Sequence, residues 1–463
     1  MAYGKTIAAI STPPGKGGVA IIRISGEDAV KIAEDVFFPK SKKRLSDYPK
    51  RMQLYGDVRY KGECIDDGMA TCFFAPESYT GEDVVEISCH GGTLVTKTVL
   101  EALLFAGAHP AEPGEFTRRA FINGKLSLVE AEGIGELLEA KTREQIRLFS
   151  GEARGRLAGR IDEIRSALVE LLSSVFARID YPDEDLGEFD DEESLKRLYI
   201  IKEKINALLS TYPTGRAISE GIPTVICGKP NVGKSTLYNA ILGEDAAIVT
   251  DIEGTTRDVL TTTAPLGRVL LRLSDTAGVR SEESADAVEK IGISRTKEKI
   301  GDASLIIAVF DLSRQASDED RDLINLLDGN KNAKIALLNK CELDEKFDTG
   351  ILSGKFDKII RISAKDKETD TVASLSAAVE ALFINESINA SEDSILSSAR
   401  HNASLTRALE FVNAAISAFE SGVYADAAAS EVERALSAIA EIDGRAVSEE
   451  VVSDIFSKFC VGK

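Results

Sequence analysis

The sequence predicts a multidomain chain: an α+β domain first, an all-α helical bundle after it, and an α/β domain inserted into that bundle. Three observations predict this. Short apolar runs bounded by Gly and Pro fill the chain to about Phe121. Apolar residues then recur at steps of three and four from Leu126 to Ile179, and do so again near the C-terminal end. Between these helical blocks, apolar strand runs alternate with helical segments, the pattern of a largely parallel sheet covered by helices.

At 463 residues the chain is too long for a single core, and roughly 100 to 200 residues per domain suggests about three. In the N-terminal domain, expected over 1–122, Ile7–Ile10, Val19–Ile24, Met69–Phe74 and Val84–Ile87 read as strands, with helices near Glu27–Val36 and Leu94–Phe105. Over 123–218, Ile161, Ile164, Leu168, Leu171, Leu172 and Val175 form one helical stripe. The stripes of 385–463, around Ala403–Phe419 and Glu431–Glu441, are the natural partners for it, which makes 219–384 an insertion. Within the insertion the strands are Pro223–Cys227, Leu270–Leu273, Leu305–Phe310, Ile335–Leu338 and Ile359–Ile362.

Composition excludes several classes. With 43% hydrophobic and 29% charged residues the chain is ordinary globular protein, and no run reaches the roughly 18 apolar residues of a membrane span. No signal peptide is seen, so a cytoplasmic protein without membrane contact is expected. Six cysteines without a C-x-x-C pair and three scattered histidines argue against a zinc cluster or disulfide framework. A net charge of −20 means that any nucleic-acid contact must be local or shared with a partner. The acidic stretch from Asp180 to Glu193 reads as a solvated loop.

Gly228-Lys229-Pro230-Asn231-Val232-Gly233-Lys234-Ser235 matches G-x-x-x-x-G-K-[ST] and lies after a buried strand and before a helix. The backbone N–H groups of such a loop wrap phosphates, Lys234 reaches the outer ones, and Ser235 ligates Mg²⁺. Asp275-Thr276-Ala277-Gly278 follows the next core strand, where an acid holds the metal's water and a Gly amide senses the γ-phosphate. Thr256, in Gly254-Thr255-Thr256-Arg257-Asp258, adds a hydroxyl to the metal. Asn339-Lys340-Cys341-Glu342 follows one strand and Ser363-Ala364-Lys365 the next. These elements, in this order, point to a GTP-hydrolysing domain, with Glu342 where guanine-specific enzymes carry an aspartate.

Hydrolysis requires a group that orients water and a charge that offsets the transition state. Val279 stands where Ras-like enzymes have a glutamine, which closes that route. Asn231 is a candidate ligand for a monovalent cation and Glu289 a candidate for orienting water; on spacing alone Glu289 reads more readily as a solvated helix carboxylate. A ribosome-assembly GTPase is the rival reading, but the basic G-x-x-G module it requires is not visible.

Further stretches carry a resemblance: Thr12–Gly15, Gly17–Gly26, Tyr79–Glu86, His90–Gly92, Pro113–Leu126, Val288–Gly292 and Phe459–Lys463. Over its whole length the chain resembles the MnmE (TrmE) family of tRNA-modification GTPases. The resemblance implies a GTPase that installs an aminomethyl-type (carboxymethylaminomethyl) group at C5 of the wobble uridine of certain tRNAs. It implies a homodimer, joined through the N-terminal domain, that forms a heterotetramer with the flavin-dependent partner MnmG (GidA). A tetrahydrofolate derivative, 5-formyl- or methylene-tetrahydrofolate, supplies the carbon, with Arg23, Glu86, Lys125 and Lys463 at the folate-binding positions. GTP/GDP-binding positions are Asn231, Val232, Gly233, Lys234, Ser235, Thr236, Thr250, Asp251, Ile252, Glu253, Gly254, Thr255, Thr256, Asp275, Thr276, Ala277, Gly278, Asn339, Lys340, Glu342, Ser363 and Ala364. Asn231, Thr250, Ile252 and Thr255 become K⁺ ligands, Ser235 and Thr256 Mg²⁺ ligands, and Glu289 the catalytic, water-orienting residue. Cys460, in C-x-G-K, is either a thiolate nucleophile or a small buried residue.

Overall fold

The computed structural model describes residues 4–180, 191–243, 261–274, 300–364, 371–421 and 425–463. The chain forms two compact units, one of Met1–Glu139, Glu152–Ser194 and Ala414–Lys463, the other of Ala140–Gly151 and Leu195–Asn413.

In the first unit, β1 (Ile7–Ile10), β2 (Val19–Ser25), β3 (Phe37–Pro39), β4 (Gln53–Tyr60), β5 (Glu63–Phe73), β6 (Val84–His90) and β7 (His109–Pro110) make one sheet in the order β3-β4-β5-β6-β2-β1-β7. Its neighbours are antiparallel except β1 and β7. Alternation along each strand separates the two faces. Leu54, Ala70, Ile87 and Ile22 stand in register and are buried with the helices Ala29–Val36 and Thr93–Phe105. Gln53, Thr71, Glu86 and Arg23 form the adjacent rank, on the opposite face. Burying each of the leucine and isoleucine side chains contributes about 1.5–3 kcal/mol, and the Ala70 methyl about 0.8 kcal/mol, which fixes the register and with it the face on which Arg23 and Glu86 lie. The predicted strands are present. β5 begins earlier than expected, and β3, β4 and β7 are additional.

The predicted helical stripe lies on helix Arg156–Asp180, where Ile161, Ile164, Leu168, Leu171 and Val175 are buried and Leu172 is half-buried. It packs against helix Ala425–Asp443, on which Ala428, Val432, Ala435 and Ile439 are buried. Two helical blocks that flank the α/β segment in sequence therefore meet within the first unit. Residues 181–190 of the acidic stretch lie outside the described residues, but Asp191, Glu192 and Glu193 form the first turn of helix Asp191–Ser219 rather than a loop. Carboxylates there meet the positive end of the helix dipole, which favours helix over coil.

Residues 460–463 return to the first strand of this unit. Val461 bridges to Pro113, and Ser11 Oγ donates to the Gly462 carbonyl at 2.9 Å. Gly462 has φ 99°, and a Cβ there would lie 2.3 Å from the Ile10 carbonyl oxygen, so only glycine permits this approach.

In the second unit, β8 (Ile222–Cys227), β9 (Thr261–Leu266), β10 (Val269–Ser274), β11 (Leu305–Asp311), β12 (Ala333–Asn339) and β13 (Lys358–Ile362) form a sheet in the order β13-β12-β11-β8-β10-β9. All neighbours are parallel except the edge pair β9–β10. The five predicted strands are present, and β9 is an addition. β11 is buried at every position, as a central parallel strand covered on both faces must be.

Candidate functional site: a phosphate cradle and an arginine–glutamate pair

In an open parallel sheet, ligands gather outside the carboxyl ends of the strands where strand order reverses. Here β8 sits between β10 and β11, and the segments leaving β8, β11, β12 and β13 carry Gly228–Ser235, Asp311, Asn339–Glu342 and Ser363–Ala364. Asn339, 4% exposed, ties three of them together. Its Nδ2 donates to the Val232 carbonyl at 2.7 Å, and its Oδ1 accepts from the Ala364 N–H at 2.9 Å. Gly233, at φ 104°, is the close approach that makes room, since a Cβ there would stand 2.1 Å from Asn339 Nδ2.

The helix Lys234–Leu242 starts at Gly233, which offers no side chain to the first-turn amides. Those N–H groups suit an anion. Ser235 and Thr236 are exposed in that turn, and Asn231 is exposed in the loop at φ 60°. Lys229 pairs with the buried Asp320 at 2.6 Å, and Lys340 with the buried Asp311 at 2.6 Å. Burial alone pulls the Asp311 carboxyl upward, but hydrogen bonds from Lys340 and Ser313 outweigh it and hold it below the ordinary carboxylate value. Lys234 faces no carboxylate among the described residues; its Nζ donates to the Lys229 carbonyl at 2.7 Å, and burial depresses its pKa. An ammonium held only by a loop carbonyl is available to an incoming anion. Ser363 is buried and Glu342 exposed.

The structure thus brings together Asn231, Val232, Gly233, Lys234, Ser235, Thr236, Asn339, Lys340, Glu342, Ser363 and Ala364. Thr250, Asp251, Ile252, Glu253, Gly254, Thr255, Thr256, Asp275, Thr276, Ala277, Gly278 and Glu289 lie outside the described residues. Sequence reasoning missed Asp311 and Asp320. An acidic residue closing a parallel core strand was the available signal for Asp311, and nothing local marked Asp320.

On the second face of the first unit's sheet, which the helix carrying Phe116 partly covers, Arg23 and Glu86 are direct cross-strand partners. Arg23 Nε and Nη2 lie 2.9 and 2.7 Å from Glu86 Oε1. The guanidinium lies 5.4 Å from the Tyr79 ring and 5.7 Å from that of Phe116, within cation–π range. Tyr79 is held by Thr117 at 2.9 Å. Burial lowers the pKa of Lys463, and the nearby Arg23 lowers it further. Two neighbouring cations, only one of them paired with a carboxylate here, make a place for an anion. Lys125 joins through the loop that carries Tyr79: its Nζ donates to the Pro76 carbonyl at 3.0 Å and its stem packs over Gly81. Behind the pair, Arg119, 3% exposed, reaches Glu82 at 3.0 Å, Glu115 at 2.8 Å and the Lys5 carbonyl at 2.9 Å. Sequence reasoning did not single out Tyr79, Phe116 or Arg119 for these roles. Cys460 is exposed, which corrects the buried reading; its carbonyl, not its thiol, is engaged, accepting from the Gly114 N–H.

Comparison with known proteins extends this. A model of the MnmE helical domain matches residues 128–460, and one described as the GTP-binding protein TrmE N-terminus matches residues 6–125. A protein named tRNA modification GTPase MnmE from Lactococcus lactis subsp. cremoris (strain MG1363) is 40% identical over 460 residues, 99% of this chain and 98% of its own. Proteins of the same name from Clostridioides difficile (strain 630) and Thermotoga sp. (strain RQ2) are 38% and 39% identical, covering 99% of this chain and 99% and 100% of theirs.

Proposed function

The chain belongs to the tRNA modification GTPase MnmE family, and from that premise we propose that it is a potassium-activated GTP hydrolase that modifies the wobble uridine of certain tRNAs. In this reading it acts in the cytoplasm as a homodimer, bound in a heterotetramer to the flavin-dependent MnmG, and takes a carbon from a tetrahydrofolate to build the aminomethyl-type group at C5. Residues 219–384 form the inserted hydrolase, between the halves 123–218 and 385–463 of the helical domain, and 1–122 hold the folate.

The observation that carries the hydrolase reading is the convergence of the Gly228–Ser235 loop, Asn339 and Ala364 at the carboxyl ends of adjacent parallel strands. Lys234 exchanges its loop carbonyl for phosphate oxygens, and the uncapped turn after Gly233 donates its amides to them. When bound, Mg²⁺ supplies charge neutralisation across the outer phosphates and K⁺ supplies positive charge where other hydrolases place an arginine. Ser235 and Thr256 are the hydroxyls for the first, and Asn231, Thr250, Ile252 and Thr255 the oxygens for the second. Asn231 fits this role in one respect that the structure displays: its side chain is exposed at the loop surface. Glu289 orients the attacking water, since Val279 has no hydrogen-bonding group.

The folate reading rests on the Arg23–Glu86 rank. Both Arg23 contacts go to Glu86 Oε1, which leaves Oε2 for pterin N–H donors, while Arg23 and Lys463 attract carboxylates. Replacing Na⁺ by K⁺ should raise GTP turnover steeply, and equal rates in the two salts would remove the cation role. Glu289→Ala should abolish turnover and spare GDP binding; an unaffected rate reassigns the residue. Calorimetry with 5-formyltetrahydrofolate should show binding lost in Glu86→Gln, and binding equal to the parent refutes the folate site.

A further inference from the structure

The chain carries net charge −20, yet residues 40–51 hold six Lys or Arg (Lys40, Lys42, Lys43, Arg44, Lys50, Arg51) and one acid, Asp47. All six cations are exposed. Lys40 pairs with Asp57, and Arg51 approaches Glu77 at 3.8 Å. Lys42, Lys43, Arg44 and Lys50 have no carboxylate partner among the described residues. Concentrating like charges on one segment of an otherwise acidic protein creates a local positive field that attracts an anionic partner.

Backbone conformation marks the same segment independently. Among the described residues, five non-glycine residues have positive φ: Asn231 and Lys340, both at the nucleotide cradle, and Lys42 (63°), Arg51 (61°) and Lys61 (52°). Left-handed backbone disfavours long side chains, and turns ordinarily use Gly, Asn or Asp there. The Lys61-Gly62 turn between β4 and β5 has both residues at positive φ, the geometry for which Asn-Gly is the preferred sequence. A cation has been placed at each of three turns where a neutral residue would fit with less strain.

The cluster also borders the sheet face that carries Arg23 and Glu86, at the end away from the Phe116 helix. Alternation puts Tyr55, Asp57 and Arg59 on the same side of β4 as Gln53, the strand position in rank with Glu86 and Arg23. Phe38, opposite Asp57 on β3, is 39% exposed and has the Arg59 guanidinium 4.9 Å from its ring; Tyr55 is 51% exposed with Lys40 5.8 Å from its ring. The acids on this side are already engaged: Asp57 by Lys40 and Arg59, Asp67 by the Tyr55 hydroxyl, and Asp66 by His90. Exposed rings beside guanidinium and ammonium groups on a flat sheet suit stacked bases with flanking phosphates. With strands about 4.8 Å apart, β4 lies about 14 Å from β2, within the reach of a few nucleotides.

We infer that the face formed by residues 38–61 is a single-stranded RNA-binding surface, leading a substrate strand from the 40–51 cation cluster toward the Arg23–Glu86 pair. The assignment rests on the tRNA reading above. The probe is an unmodified tRNA transcript with uridine at the wobble position, titrated against the full chain over a salt series. The combined variant Lys42→Gln, Lys43→Gln, Arg44→Gln and Lys50→Gln should bind about 10- to 100-fold more weakly, and its log K against log salt slope should flatten by about 2 to 3, at about 0.7 per single-strand phosphate. Tyr55→Ala should weaken binding about tenfold without changing the slope. GTP turnover and thermal unfolding should match the parent for both variants, which separates lost contact from lost fold. Parent and variant binding equally, with equal slopes, overturns the surface and leaves the tRNA reading standing. No binding by the parent overturns both. If vesicles of phosphatidylcholine and phosphatidylserine bind the parent but not the combined variant, while both bind the transcript equally, the face serves a membrane and the inference fails.

Discussion

Replacing Asn339 by alanine tests whether the nucleotide cradle is built as described. The side chain is buried and makes two hydrogen bonds, donating to the Val232 carbonyl at 2.7 Å and accepting from the Ala364 N–H at 2.9 Å. Alanine removes both and leaves a carbonyl and an amide to find other partners, at about 1–3 kcal/mol for each group. The half-buried Ala364 can reach water more readily than the buried Val232, so the joint cost is about 2–4 kcal/mol. If that cost falls on the conformation that holds the phosphates, GDP affinity drops roughly 30- to 700-fold, at a factor of ten per 1.4 kcal/mol. Titration with a fluorescent GDP analogue reads this directly. Asn339→Asp should be at least as damaging, because it keeps the acceptor for Ala364 but turns a carboxylate toward the Val232 carbonyl. An alanine variant that binds GDP within about threefold of the parent would refute the reasoning, since the loop would then hold its shape without the tie.

Three further outcomes are expected. At about pH 8, iodoacetamide should modify the exposed Cys64 and Cys460 in the native chain, while Cys72 and Cys89, pushed up to about 11, and Cys227, pushed up to about 12, all by burial, should react only after unfolding; early label on Cys227 in a peptide map would contradict the buried β8. The His90 pKa is raised, first by its hydrogen bond to Asp66 and then by that carboxylate's charge. Its stabilising effect is therefore complete below the unfolded-state histidine pKa and is lost as pH rises through the folded value; NMR titration should show the midpoint fall in Asp66→Asn, and an unmoved midpoint breaks the assignment. Arg119→Met removes one side of a buried ion network and should destabilise the first unit by about 3–5 kcal/mol in denaturant melts while GDP binding persists; a loss below about 1 kcal/mol would mean that Glu82 and Glu115 find other partners.

The central strands of the α/β domain were legible because β8, β11 and β12 are dense, largely buried apolar runs, the edge strand β13 because its isoleucines stand out although most of its positions are exposed, and the phosphate loop because its spacing is dictated by backbone geometry. β9 was not: Thr261–Leu266 is an edge strand with a proline and three threonines, so little in its composition separates it from a loop. β4 escaped for a related reason, since Leu54 and Val58 alternate with exposed polar positions and Gly56 interrupts the pattern. The Arg23–Glu86 pair came only through the family resemblance, as no local periodicity announces a partner on a strand 63 residues away. Tyr79 and Phe116 became visible as its aromatic neighbours only once the sheet order was known. Lys229 shows the same limit: it sits inside the clearest motif of the chain, yet its partner Asp320 lies 91 residues further on.

The contact from Ser11 to Gly462 spans 451 residues. The strands of the first sheet lie within residues 7–110, yet the segment that closes over β1 and carries Lys463 toward Arg23 comes from residues 460–463. The folate site proposed above therefore needs a contact of very long sequence separation, and its closure should be among the slower events of folding.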